Sequence, residues 1–159
     1  MQVRPAELAE IDHLARLWHD VWHESHATLA PPELVRLRTL SSFRDRLAVM
    51  LPDVCVVGPA GAPLGLCAIR GDELYQLFVS SQAHGLGTAA ALIADAEARL
   101  AARGVELAWL ACAVDNHRAA RFYEKSGWRR AGTFVMLSET SKGPFPVDQW
   151  RFEKRLTPA

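Results

Sequence analysis

The sequence predicts one mixed α/β domain (α+β in layout) spanning residues 1–159. Three observations predict it. Apolar residues near the N-terminus recur at helical spacing. Short β-forming runs then follow, separated by tight-turn residues. From Glu73 to Val114 a strand, a glycine loop, an alanine-rich helix and a strand succeed one another, as in a βαβ unit. The 159 residues suit a single domain with its own core, and no repeat, low-complexity tract or linker divides them.

Taken in order, Val3 to Pro5 is a short first strand. From Ala6, Leu8, Ile11, Leu14, Ala15, Trp18, Val21 and Trp22 mark a helix that ends near His26 to Thr28. Ala30-Pro31-Pro32 breaks it. Glu33 to Arg38 and Ser42 to Leu51 form a second helical stretch in two pieces, with Ser42 as the cap of the second. Val54 to Val57, Leu64 to Ile69 and the run from Glu73 to Val79 are strands joined at Gly58-Pro59-Ala60-Gly61 and Gly71-Asp72, an antiparallel meander. The helix after Gly87 presents Leu86, Ala89, Ala90, Ile93, Ala96 and Leu100 on one face and stops at Arg103-Gly104. Val105 to Val114 is a buried strand, parallel to the one before the loop. Asp115-Asn116 opens a short helix that ends near Lys125-Ser126-Gly127. Trp128 to Leu137 and Val147 to Leu156 are two last strands, separated by a polar loop from Glu139 to Pro146.

Lysine plus arginine and aspartate plus glutamate number 18 each, so the overall charge gives no support for nucleic acid or an anionic membrane as partner. No apolar run is long enough to cross a bilayer, and the N-terminus lacks a signal peptide's apolar segment. Cys55, Cys67 and Cys112 sit in apolar, strand-like surroundings and read as buried free thiols of a cytoplasmic protein.

The chemistry concentrates in Glu73 to Thr88. A strand passes through Ser80 and Ser81 into Gln82-Ala83-His84-Gly85-Leu86-Gly87-Thr88, which opens onto a helix. Helix-start N–H groups lack internal partners and sit at the positive end of the dipole, so this arrangement suits a phosphate. A tight strand–helix turn is the alternative. No lysine and hydroxyl pair follows Gly87, so the loop is not a P-loop, and its two glycines fit a dinucleotide fingerprint poorly.

Gln82-x-x-Gly85-x-Gly87, followed by Asn116-x-x-Ala119-x-x-Phe122-Tyr123-Glu124-Lys125-x-Gly127-Trp128, resembles the GNAT superfamily of acyl-CoA-dependent N-acyltransferases. The resemblance covers Glu73 to Trp128 by motif and the first seventy residues by element order alone. It implies a mostly antiparallel mixed sheet with helices on both faces, splayed where the strands ending at Val79 and Val114 part. The acetyl-CoA arm would lie in that gap against the backbone of Leu77, Phe78 and Val79. The pyrophosphate would rest on Gln82, Ala83, His84, Gly85, Leu86, Gly87 and Thr88, with Asn116 bonded to the arm, and His117 and Arg118 near the adenosine phosphates. Tyr123 would protonate the departing thiolate, as a phenol in a water-poor site can; otherwise it is an aromatic packed beside Phe122. Glu73 would take the acceptor's proton; otherwise it is an exposed strand-end carboxylate.

The resemblance puts the first helix and the loop after it over the acceptor side, which makes Trp22, His23, His26 and the Glu33 region candidate acceptor contacts. His19, His23 and His26 have no partner set for a metal, and His23-Glu24-Ser25-His26 is one residue short of the zincin spacing, so a polar helix end is the reading and no metal is expected. Cys112 is a small buried residue near the gap. The implied activity is transfer of an acetyl group from acetyl-CoA to the primary amine of a small molecule or a protein. A non-catalytic acyl-CoA sensor and a nucleotide-binding regulatory domain are the rivals. The apolar last strand leaves monomer and homodimer both open.

Overall fold

Two acidic residues set where the first helix begins. In the computed structural model, which describes residues 1–158, β1 (Val3–Pro5) leads into a 3-10 turn at Leu8–Glu10. The buried Glu10 carboxylate accepts the Glu7 N–H at 2.9 Å and both Arg4 guanidinium nitrogens at 2.7 and 2.9 Å. This pair holds the Glu10 carboxyl below its usual range, with the Arg4 hydrogen bond as the main cause. The helix expected from Ala6 therefore begins as α1 at Ile11 and ends at His26. Its stripe of Ile11, Leu14, Ala15, Trp18 and Trp22 is buried as expected, but Leu8 lies ahead of the helix and is 70 % exposed.

Pro31 and Pro32 end the connection by starting α2 (Pro32–Leu37), where a missing N–H costs nothing. The second piece, α3 (Leu40–Met50), is capped by Thr39, whose hydroxyl accepts the Ser42 N–H at 3.2 Å. Ser42 is thus inside the helix, not at its cap. Phe43 and Leu47 pack under Trp18, with the Trp18 and Phe43 rings 4.9 Å apart.

The sheet has seven strands in the order β1-β2-β3-β4-β5-β7-β6. β2 (Val54–Val57), β3 (Gly65–Arg70) and β4 (Glu73–Val79) form the expected meander. The βαβ unit is β4, α4 (Thr88–Ala102) and β5 (Leu107–Ala113), and β4–β5 is the sheet's parallel pair. After α5 (His117–Lys125), β6 (Arg129–Ser138) runs along the outer edge and β7 (Phe145–Arg155) inserts between β5 and β6. The last two strands are antiparallel, as the sequence predicts.

Helices cover both faces. α1, α2 and α3 bury one side with Val56, Leu66 and Phe78, while α4 and α5 bury the other with Leu74, Leu110 and Phe152. The buried face of α4 is rotated from the one expected. Leu92 joins Ile93, Ala96 and Leu100 inside, whereas Ala90 is exposed and Leu86, still in the loop, is 59 % exposed. Alanine is apolar enough to mimic a core stripe on either side of a helix, and only the bulky Leu92 marks the true one.

Candidate active site

β4 and β5 share one residue pair, Glu73 with Trp109, supported by the Trp109 N–H donating to the Asp72 carbonyl at 3.2 Å. Past that point the strands part. The cause lies on the other side of β4. There Ala68 pairs with Gln76 but Ile69 with Leu74, so Tyr75 is an extra residue. Such a bulge bends and twists its strand, here away from β5. The split opens a cleft of about 1290 Å³ that runs from α1 to the start of α5.

Strand alternation tells which backbone groups face the split. The Ser80 N–H donates to the Leu64 carbonyl, and Phe78 sits opposite Leu66. Alternation of the ladder therefore turns the Phe78 N–H and carbonyl to β3, and those of Leu77 and Val79 toward β5. Leu77 and Val79 thus present backbone groups to the cleft. Phe78 lines it with its ring alone.

The loop after β4 is sorted in the same way. The Gln82 N–H is held by Ser80 Oγ at 3.2 Å, and the amides of Ala83, His84 and Leu86 donate within tight turns. The amides of Gly85, Gly87 and Thr88 have no partner among the described residues. Gly85 and Gly87 have φ of +80° and +81°, which only glycine adopts cheaply, and no atom lies within 4 Å of where a Cβ would stand. Together with the first amides of α4 they form an open cradle with positive polarity. The Thr88 hydroxyl is buried beside it with no hydrogen-bond partner. These features fit the phosphate end of acetyl-CoA. Gln82 and Leu86 stand outside the cleft lining, while His84 lines it and is tied to Arg118 of α5 at 2.8 Å.

Across the split, Asp115 takes φ of +73° to turn the chain, and Asn116 caps α5 by accepting the Ala119 N–H at 3.3 Å. The cap occupies the Asn116 side-chain oxygen and leaves its amide nitrogen free to donate. α5 ends in a Schellman motif, with the Trp128 N–H on the Tyr123 carbonyl at 2.9 Å and the Gly127 N–H on the Glu124 carbonyl at 3.1 Å. Gly127, at φ +91°, supplies the left-handed residue this requires. The motif anchors Tyr123, which is buried between Phe122 and Phe152 and still lines the cleft. Burial pushes its phenol well above the usual range, so it stays protonated at neutral pH. Burial also pushes the nearby Cys112 thiol up to about 12, which makes it inert as a nucleophile.

Glu73 stands at the closed end of the split. It is 4 % exposed, not the surface carboxylate of the alternative reading. Desolvation raises its carboxyl to about 7, against a smaller opposing effect of Arg70 at 3.3 Å. A carboxylate poised there can exchange a proton near neutral pH.

Of the acceptor-side residues, Trp22 and His26 line the cleft, their rings stacked at 5.3 Å. Burial lowers His26 to about 4, so it is neutral. His23 does not line the cleft; its Nε2 is 2.7 Å from the Arg38 carbonyl, joining α1 to the end of α2. The His19 ring lies 4.4 Å from that of His23, tilted by 45°. Among the described residues no group of three or more His, Cys, Asp or Glu is placed to hold a metal ion, and no helix is long and apolar enough to cross a membrane. Sequence reasoning missed Arg38, Arg46, Arg70 and Tyr75, all of which line the cleft. The signal open to it was weak: Tyr75 and Arg70 flank Glu73 in the chain, but nothing in the sequence brings Arg38 to β6.

A model of the Acetyltransferase (GNAT) family matches residues 12–128. Uncharacterized N-acetyltransferases of Mycobacterium bovis and Mycobacterium tuberculosis are 42 % identical over 69 residues, covering 41 % of this chain and 44 % of each relative. The match therefore spans less than half the length of those proteins. Among solved structures, a GCN5-related N-acetyltransferase from Rhodopseudomonas palustris superimposes with a TM-score of 0.77 at 19 % identity, covering 98 % of this chain and 95 % of that one. The PaiA N-acetyltransferase from Thermoplasma acidophilum, in complex with coenzyme A, gives 0.66 at 16 % identity, covering 97 % and 98 %. Identities this low speak to the fold alone.

Proposed function

We propose, for a chain that belongs to the acetyltransferase (GNAT) family, direct transfer of the acetyl group of acetyl-CoA to a primary amine. The observation that carries this reading is one cleft lined by an open glycine cradle, a protonated buried tyrosine and a buried carboxylate near neutral pKa. Acetyl-CoA would supply the thioester whose carbonyl carbon the amine attacks. The amides of Gly85, Gly87 and Thr88 would hold its pyrophosphate, and Leu77 and Val79 would pair with its arm across the split. Asn116 would bond the arm from the far side.

Glu73 takes the proton from the acceptor's ammonium, directly or through water, so that its nitrogen lone pair is available. The strand amides facing the split donate to the carbonyl oxygen as negative charge develops on it, a contribution on the order of 3 kcal/mol. As the carbonyl re-forms and the C–S bond breaks, Tyr123 gives its proton to the departing sulfur and regains one, directly or through water, from the new amide nitrogen, which sheds its second proton. The cleft's shape holds both reactants in line, which removes several kcal/mol more from the barrier.

The test is thiol release from acetyl-CoA by the purified protein against a panel of amines, with CoA affinity measured alongside. Release with at least one amine supports the reading. Tight CoA binding with no release on any amine assigns a sensor instead. Preference for ATP or NAD over CoA in thermal shift sinks both.

A further inference from the structure

At the acceptor end of the cleft two arginines, Arg38 buried and Arg46 half-buried, lack charged partners among the described residues. Arg38 is 3 % exposed and reaches 100 residues along the chain to donate to Ser138 Oγ and to the Glu139 carbonyl, both neutral acceptors. Arg46 donates to the Tyr75 hydroxyl at 3.2 Å and lies 4.4 Å over the Trp18 ring. The Nε of each is buried and has no partner. Among the described residues neither arginine has a carboxylate within ion-pair distance, whereas Arg70 pairs with both Glu73 and Glu139. The acids that also line this end, Glu24, Glu139 and Asp148, are exposed at its rim. Burial pushes Arg38 down to about 10, and repulsion from Arg46 adds to this.

Cations are seldom buried without an anion, because desolvation is recovered only through a charged partner. A ring face and a phenol compensate part of that loss, but they carry no net charge. The structure spends a 100-residue crossing to hold Arg38 here, close to where Glu73 would meet an amine. We infer that the acceptor is a small amine that also bears a carboxylate, with the amine directed to Glu73 and the carboxylate to Arg38 and Arg46. This rests on the acetyltransferase reading and names its substrate class. Guanidinium forks match a carboxylate's two oxygens, which favours that group over a diffuse negative surface.

The experiment uses the CoA-saturated full chain. Common amino acids and their α-amides, which keep the amine and lose the carboxylate, are titrated by calorimetry. The same compounds, with phosphoethanolamine and neutral and polycationic amines, are assayed for thiol release from acetyl-CoA in place of CoA. At least one carboxylated amine is expected to bind and react with a kcat/KM about tenfold or more above its amide. Arg46→Met, with Arg46→Gln as the second variant should the first fail to fold, is expected to raise the KM of that amine by about tenfold and to leave the amide's nearly unchanged. Better turnover of amides, polyamines or phosphoethanolamine overturns the inference and leaves the acetyltransferase reading standing. So does a carboxylate preference that survives in the Arg46 variants. Absence of thiol release with every amine defeats the enzyme reading, while calorimetry still decides the carboxylate: binding of amino acids but not amides supports it, and binding of neither overturns it.

Discussion

Replacing Glu73 with glutamine separates activity from stability in opposite directions. The folded protein holds the Glu73 carboxyl at about 7, against an ordinary 4.5, chiefly because burial disfavours its charge. The folded state therefore binds this proton more tightly than the unfolded chain does. The associated stability is fully present below pH 4.5, declines as pH rises, and is lost above about 7. That gap corresponds to about 3 kcal/mol at pH 8. Glu73→Gln never ionises, so it escapes this loss, although it gives up the Arg70 contact. Its melting temperature should exceed that of the wild type by about 5 °C at pH 8, with the difference shrinking toward pH 5.

Activity should move the other way. A positioned base contributes about 10²–10⁴-fold, so kcat/KM of Glu73→Gln should fall by at least about 10²-fold at pH 8. In the wild type kcat/KM should rise through a step near pH 7 as the carboxylate forms. The acceptor's own amine adds a second limb at higher pH, common to both proteins, so the step that the variant loses belongs to Glu73. The assay is thiol release from pH 5.5 to 9, paired with thermal melts in the same buffers. A variant that keeps more than about a tenth of wild-type kcat/KM, or that melts lower at pH 8, refutes the reasoning.

Tyr123→Phe keeps the packing against Phe122 and Phe152, so it should lower kcat by about 10–100-fold while the CoA Kd stays nearly constant by calorimetry; unchanged turnover removes the acid. Gly87→Val forces a β-branched residue to φ +81° and fills the open cradle; CoA binding should weaken by about tenfold or more, and retained affinity counts against the cradle. Gly127→Ala strains the Schellman end of α5 at φ +91°, and should cost about 1–2 kcal/mol in urea unfolding with a drop in kcat larger than the drop in CoA affinity. An undisturbed kcat in that variant would mean that Tyr123 does not depend on the helix end for its place.

What could be read from the sequence was the part built from neighbours. The strand, loop and helix from Glu73 to Ala102, the Asn116 cap and the Gly127 stop each rest on contacts within a few residues. Their residue types follow from local hydrogen bonding, so the shape of the glycine loop and of the helix starts beside the cleft was legible. The end of the cleft between α1, α2 and β6 rests on contacts that local pattern cannot report. Arg38 meets Ser138 across 100 positions, and the order β5-β7-β6 brings β6 to the rim of the cleft. The bulge at Tyr75 leaves no mark in the alternation of a strand whose residues are mostly apolar. His23 looked like a pocket residue because its helix face was right, but a carbonyl at the end of α2 claims it. The burial of Glu73 was hidden for the same reason, since what covers it arrives from other parts of the chain.

These features have one physical origin in the bulge. An extra residue at Tyr75 twists β4 away from β5 directly after the Glu73–Trp109 pair. The twist leaves the Leu77 and Val79 backbone groups without a strand neighbour, open for a ligand to pair with. It also makes the residues before and after it unlike in role. Glu73, before the bulge, sits in closed sheet and is desolvated toward neutrality. Tyr75, at the bulge, turns its hydroxyl to Arg46 and its ring face to Arg70, which lies 3.6 Å away. Removing the bulge by deleting Tyr75 would restore regular pairing, close the split and strip Arg46 of its partner at once. The open groove, the buried carboxylate and the arginine cluster are therefore not three separate inventions on this sheet but the two sides and the apex of one irregularity.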